Sequence, residues 1–218
     1  MKLLLLLSIL LFSSLSHAVE VQGRSLILDG DTIEINGVTI RLYGIDAPEN
    51  GQICTTRQGR KYNCGKAAEK GLAALIHSEV SCTGENYDQY DRLIAVCHSN
   101  NREINAQMVL SGWALAYVKY STDYIEFERA AQSEKRGIWA GKFESPADFR
   151  SSKWRSALAS AGKPGCPIKG NINNKGEHIY HAPWSRSYSR TKISLSRGER
   201  WFCSEDEALR AGWRAPYR

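Results

Sequence analysis

The sequence predicts an α+β fold in which helices pack against a β-barrel or sheet, followed by a small C-terminal unit. Three observations predict it. Residues 31–35 and 38–42 each alternate apolar and polar side chains, and Asn36-Gly37 lies between them. That pair is the strongest short-range signal for a two-residue hairpin turn. Apolar or small residues then recur at helical spacing, at 64, 67, 68, 72, 75 and 76, and two later segments do the same. Finally, a polar stretch over 142–167 separates this part from residues 170–217, which are rich in Trp, Tyr and Arg.

In chain order, Lys2 precedes an apolar run over 3–12, and Ser16-His17-Ala18 closes the segment. This is the layout of a secretory signal peptide over 1–18, cleaved after Ala18, which predicts a secreted or periplasmic protein. No later segment has the length and apolarity of a bilayer span, so no stable membrane insertion is expected after cleavage. The runs 79–83 and 93–98, joined by a polar turn, read as a second hairpin. Residues 102–112 and 123–136 read as helices. In the latter Tyr124, Phe127, Ala131 and Ile138 form one stripe, Gly137 stops it, and Ile138-Trp139 closes the segment. The organisation expected is therefore a signal peptide (1–18), a main domain (19–141), a linker around a short helix (142–167) and a small C-terminal module (168–218).

The chain has 218 residues, 42% hydrophobic and 24% charged, which suits one globular domain with an appendage. A net charge of +6 favours a polyanionic partner. Six cysteines fit an oxidising compartment. Cys54 and Cys64 bracket a polar loop. Cys82 and Cys97 lie about equally far from the tip of the second hairpin, as cross-strand partners must. Cys166 and Cys203 are left to each other, although a zinc site built from Cys166, His178, His181 and Cys203 is the rival reading.

The chemistry sits in two short acidic stretches, Asp29-Gly30-Asp31-Thr32 and Ile45-Asp46-Ala47-Pro48-Glu49, on either side of the run that carries Arg41. Arg92 follows in Tyr90-Asp91-Arg92. Carboxylates that can hold a hard cation, with guanidinium groups that can hold phosphate oxygens, point to a metal-dependent phosphodiesterase. Taken singly, each has a plainer reading. Asp29 and Asp31 are good turn formers, and Arg92 has Asp88 and Asp91 within pairing distance in sequence.

These motifs occur in an order that resembles the staphylococcal (thermo)nuclease family. Arg41-Leu42-Tyr43-Gly44-Ile45-Asp46-Ala47-Pro48-Glu49 is followed by Tyr90-Asp91-Arg92, Asn105-Ala106, Gly112-Trp113-Ala114 and Gly137-Ile138-Trp139. The resemblance covers residues 19–140. It implies a five-stranded OB-type barrel with packed helices, and a calcium-dependent phosphodiesterase acting on DNA and RNA. It implies Asp31, Asp46 and the main-chain oxygen of Ala47 as Ca2+ ligands. Arg41 and Arg92 would contact the scissile phosphate, and Glu49 would orient or deprotonate the attacking water. Tyr117, Lys119 and Tyr90 are the expected substrate contacts.

The sequence also departs from that family. Ala47 stands where the staphylococcal type has Thr, and Lys119 where it has a second tyrosine. An insert between Cys54 and Cys64 carries Arg57, Arg60 and Lys61, further candidates for backbone phosphates. The C-terminal unit resembles a small module appended to some secreted nucleases, and its Ser204-Glu205-Asp206-Glu207 is a capping box that predicts a helix start. The expected function is a calcium-dependent endonuclease with little sequence specificity, because the features found address phosphate rather than base edges. The alternatives are an OB module that binds nucleic acid without cutting it, and an envelope-associated structural protein. No protein partner is implied.

A strict Asn36-Gly37 turn sets Arg41 opposite Thr32, so Asp31 and Arg41 fall on different faces of the hairpin. A shared site therefore requires an irregularity near Gly44 or within residues 29–31.

Overall fold

The computed structural model describes residues 18–216; of the expected signal peptide over 1–18, all but Ala18 lies outside the described residues. The first strands are β1 (Val19–Gly23), β2 (Ser25–Ile27), β3 (Thr32–Ile35), β4 (Val38–Leu42) and the short β5 (Ile45–Asp46). A small ribbon of β6 (Ile53–Thr55) and β7 (Lys61–Asn63) leads into helix α1 (Cys64–Leu75). The second hairpin is β8 (Val80–Tyr87) with β9 (Leu93–Ser99), followed by β10 (Arg102–Glu103), α2 (Ile104–Leu110), β11 (Leu115–Ala116) and α3 (Ile125–Ser133). Then come α4 (Pro146–Leu158), β12 (Ile168–Ile172), β13 (His178–His181), β14 (Arg200–Phe202) and α5 (Glu205–Arg210).

The main sheet runs β1-β8-β9-β4-β3-β2, with β10 also paired to β9. It is a curled, mixed sheet with helices packed on it, an OB-type α+β architecture. Asn36 and Gly37 have φ of 52° and 82°, the left-handed pair that a tight hairpin of this hand needs. Inward residues Ile33, Ile35, Ile40, Leu42, Leu93 and Ala95 are buried and pack on Ala68 and Leu72 of α1 and Met108 and Val109 of α2. The alternation visible in sequence is thus the barrel's inside and outside.

Two pairings position the site. The β3–β4 ladder sets Thr32 opposite Arg41, as the tight turn dictates. The β4–β9 pair is parallel, with Ile40 beside Leu93 and Arg41 beside Ile94. Arg92 immediately precedes β9, so this one parallel pair brings both arginines to the same rim.

The buried Asn105 locks that rim. Its side-chain oxygen accepts from Cys97 N at 3.0 Å, and its amide donates to Tyr43 O at 2.9 Å and Ala95 O at 3.2 Å. Asn105→Ala removes the side-chain partner of Cys97 N in β9 and of Tyr43 O just after β4, while Ala95 O keeps its bond from Tyr43 N at 2.8 Å. The expected loss is about 2–3 kcal/mol, a fall in Tm of roughly 4–12 °C in a thermal melt.

The cysteines pair as 54–64, 82–97 and 166–203. The zinc reading therefore fails, because two of its four ligands are spent in a disulfide. His181 bonds Asn171 at 2.8 Å and burial holds its pKa down to about 4, while His178 lies edge-on to Trp213. The small unit has its own core of Ile168, Tyr180, Phe202, Ala208 and Trp213 under the sheet β13-β12-β14. Ser204 caps α5 by accepting from Glu207 N at 3.0 Å. Among the described residues, no helix is long and apolar enough to cross a membrane.

Candidate active site

Strand β3 begins only at Thr32, and residues 29–31 are bends. Asp31 N donates to Asp29 Oδ1 at 3.1 Å, an Asx turn that takes Asp31 out of the strand's alternation. Its carboxylate reaches Arg41 Nη2 at 3.2 Å, although the two residues sit on different faces by strand counting. The irregularity therefore lies at residues 29–31, together with the left-handed turn at Gly44 (φ 71°), where a Cβ would press within 2.6 Å of the Tyr124 ring. A true register shift occurs elsewhere, between Gly84 and Asn86 in β8.

Asp46 ends the short β5, held by pairing with Leu115. Its Oδ1 lies 3.6 Å from the same Arg41 Nη2. Asp31 also accepts from Ala47 N at 2.8 Å, so the two acidic stretches are tied together directly. This donor set suits a hard cation: two carboxylates that already converge on one positive nitrogen, with the Ala47 main chain beside them. Among the described residues no three His, Cys, Asp or Glu side chains form a metal cluster. The other ligands would thus be main-chain oxygen, water or substrate.

Glu49 sits two residues beyond Ala47. Gln52 Oε1 accepts from its N–H at 3.0 Å, and Gly65 at the start of α1 packs so closely that a Cβ there would lie 2.0 Å from the Glu49 carbonyl oxygen. The disulfide from Cys64 to Cys54 fixes that helix start. Burial pushes the Glu49 carboxyl up to about 7, against the opposing pull of the Arg150 guanidinium. Burial likewise raises Asp46, again opposed by Arg150. A carboxylate with this basicity is suited to accept a proton near neutral pH.

Arg92 is held by Asp88, whose Oδ2 accepts from Nε at 2.8 Å and lies 2.7 Å from Nη2. Its Nη1 reaches Thr32 Oγ1 at 3.5 Å, beside Asp31. The Asp88 pairing that the sequence allowed is thus real, and it aims the guanidinium rather than removing it from the rim. Tyr90 stacks under Arg92, 5.0 Å from ring centre to guanidinium carbon, but its hydroxyl donates to Glu205 at 2.6 Å. Tyr117 lines the groove together with Tyr120. Lys119 does not: it is exposed and lies 5.4 Å from the centre of the Tyr120 ring. Arg57, Arg60 and Lys61 are exposed and also stand outside the groove lining.

The segment expected as a linker around a short helix carries the 13-residue α4, and what the sequence reading missed is that its Arg150 enters the site. Arg150 Nη1 donates to Asp46 Oδ1 at 3.0 Å and to Glu49 Oε1 at 2.8 Å, while Nη2 donates to Asp46 Oδ2 at 3.0 Å. Burial lowers the pKa of this guanidinium, but its bonds to Asp46 and Glu49 outweigh that and hold it above its ordinary value. The disulfide loop anchors the approach to α4. Thr55 and Lys142 exchange two main-chain bonds at 2.8 Å, and Gln52 donates to Glu144 O at 2.7 Å. Ser145 then caps the helix by accepting from Asp148 N at 3.1 Å, with Pro146 in its first turn. Ser145-Pro146-Ala147-Asp148 is a legible helix start. What the sequence lacked was an apolar stripe to say which face of α4 turns inward.

All of this opens into one groove of about 1540 Å³, walled on the far side by Trp154 of α4 and by Tyr180, Trp184 and Glu205 of the small unit.

The chain is similar to known proteins over most of this region. The family model for staphylococcal nuclease homologues matches residues 39–141. The succinoglycan biosynthesis protein ExoI of Rhizobium meliloti is 31% identical, over 64% of this chain and 75% of its own length. An uncharacterized endonuclease of Haemophilus influenzae is 30% identical, over 71% of this chain and 85% of its own. A micrococcal nuclease of Shigella flexneri is 33% identical, over 62% and 80%. With most of each relative covered at this identity, and the matched segment containing Arg41, Asp46, Glu49 and Arg92, the chain belongs to the staphylococcal nuclease family of hydrolases.

Proposed function

We propose that the protein is a calcium-dependent endonuclease, secreted or periplasmic, that hydrolyses phosphodiester bonds of DNA and RNA with little regard to sequence. The observation that carries this reading is the convergence of Asp31, Asp46, Arg41 and Glu49, with Arg92 at the same rim, inside a groove too large for a small-molecule pocket. Arg41 and Arg92 hold the non-bridging oxygens of the scissile phosphate, where negative charge grows as the bond forms. Fixed guanidinium donors aimed there stabilise the transition state more than the ground state. Glu49, held by Gln52 and Gly65, orients the attacking water and takes its proton. Asp31, Asp46 and the Ala47 carbonyl would hold Ca2+, which neutralises charge on the phosphate and acidifies water. Tyr117, with Tyr120 beside it, packs against the nucleotide. Three disulfides support an oxidising compartment.

The test is digestion of plasmid DNA and of RNA, side by side, with calcium and with a calcium chelator. Both substrates are expected to be cut with calcium and left intact with the chelator. Binding that survives the chelator, without cleavage under any condition, would instead support a nucleic-acid-binding module.

A further inference from the structure

The small C-terminal unit is not remote from the chemistry. Tyr90, in the turn that aims Arg92, packs against that unit's core and bonds its Glu205. Helix α4 spans the same gap: Arg150 grips Asp46 and Glu49, and Trp154, one turn further along the same face, meets Trp184 of the small unit. The two indole rings lie 6.2 Å apart at 35°, both half-buried and both lining the groove. The site thus holds an aromatic platform at a fixed offset from the carboxylates, because Arg150 and Trp154 are carried by one rigid helix.

We propose that Trp154 and Trp184 form a base-stacking subsite that gives the groove a preference for single-stranded over duplex nucleic acid. This rests on the nuclease reading above. The nuclease reading names the occupant: a phosphate held at Arg41 and Arg92 leaves its chain running along the groove past the platform, although the lining carries more carboxylates than guanidinium groups and Arg150 is taken up by Asp46 and Glu49. An indole face takes any base, so the subsite adds no sequence preference. It does select strand state. A base inside a duplex has its faces covered by neighbours and its edge paired, and only an unpaired base turned out of the stack presents a free face to a side chain. The groove volume, about 1540 Å³, exceeds the roughly 300–1000 Å³ of a small-ligand pocket and leaves room for a nucleotide beyond the scissile phosphate.

The experiment uses the full chain in chelator, so that nothing is cut, with a fluorescein-labelled single-stranded 12-mer and a hairpin duplex of the same length read by anisotropy. Trp184→Ala is expected to weaken single-strand binding by about 5- to 150-fold, with duplex affinity unchanged within about twofold. Trp184→Phe restores most of the loss, whereas Trp184→Leu, which keeps apolar bulk without a ring system, does not. Should the alanine variant fold poorly, quenching of the wild-type tryptophan fluorescence by the single strand, weaker with the duplex, is the second readout. Equal losses on both substrates, no loss on either, or equal quenching by both would overturn the subsite and leave the tryptophans as packing residues. A wild-type protein that cuts DNA with calcium while Trp184→Ala keeps the normal single-strand to duplex ratio would sink only this inference. A wild-type protein that neither binds nor cuts nucleic acid would sink the nuclease reading with it.

Discussion

Glu49→Gln lowers the turnover number by about 10²–10⁴-fold while leaving DNA affinity within a few-fold of wild type. Gln52 and Gly65 contact only the Glu49 main chain, and the amide keeps the side chain's size and one acceptor for Arg150, so the loop stays in place. What it loses is the basicity that burial confers on this carboxyl. Because Glu49 is assigned to the attacking water rather than to the phosphate, its loss should appear in the rate of bond cleavage and not in ground-state binding. Single-turnover cleavage with saturating calcium, paired with binding in chelator, separates the two. Equal losses in rate and affinity would show that Glu49 organises the groove instead of acting on water.

Arg150→Gln is expected to destabilise the protein in chelator and to tighten its hold on divalent or trivalent cations. The guanidinium satisfies both oxygens of Asp46 and one of Glu49 in a partly buried site, and its side chain is 23% exposed. Removing one partner of such a pair leaves buried carboxylates uncompensated, at a cost of about 3–5 kcal/mol or roughly 6–20 °C in Tm. A cation bound to Asp46 meets Arg150 at close range. Two unit charges about 4 Å apart repel by about 4 kcal/mol at an effective dielectric constant of 20. Neutralising Arg150 removes that repulsion, so Tb3+ luminescence and calorimetric Ca2+ titration should both report binding at least about tenfold tighter. Saturating calcium should recover most of the lost Tm, because ligand binding to the folded state adds stability by mass action. An unchanged metal affinity would mean that Arg150 and the cation do not compete for Asp46.

These two residues also divide what could be read from what could not. Glu49 could be singled out because the run Asp46-Ala47-Pro48-Glu49 resembles the staphylococcal nuclease pattern, and its role is what that resemblance implies. The strand pattern around it was legible in its own residues. Alternation across Asn36-Gly37 fixes inside and outside, and the turn fixes Arg41 opposite Thr32. The cysteine pairing followed from symmetry about the second hairpin and from elimination, and needed the structure only to dispose of zinc. Arg150 had no such signature. It lies 101 residues from Glu49 in sequence and 104 from Asp46, in a helix without an apolar stripe, and nothing local says where its guanidinium goes.

The sequence by itself determined the two hairpins, the helix that follows the disulfide loop, and a set of acidic and guanidinium groups suited to a phosphodiester, while the barrel was implied by the family resemblance. The former are properties of periodicity, turn chemistry and residue type, which act over a few neighbours. Only the tertiary structure decided that Asp31 leaves its strand to meet Arg41, that Arg92 is aimed by Asp88, and that α4 and the small unit close one side of the groove with Arg150, Trp154 and Trp184. Those outcomes depend on contacts across the whole chain, set by how the parallel β4–β9 pair, the Cys54–Cys64 loop and the C-terminal core pack together.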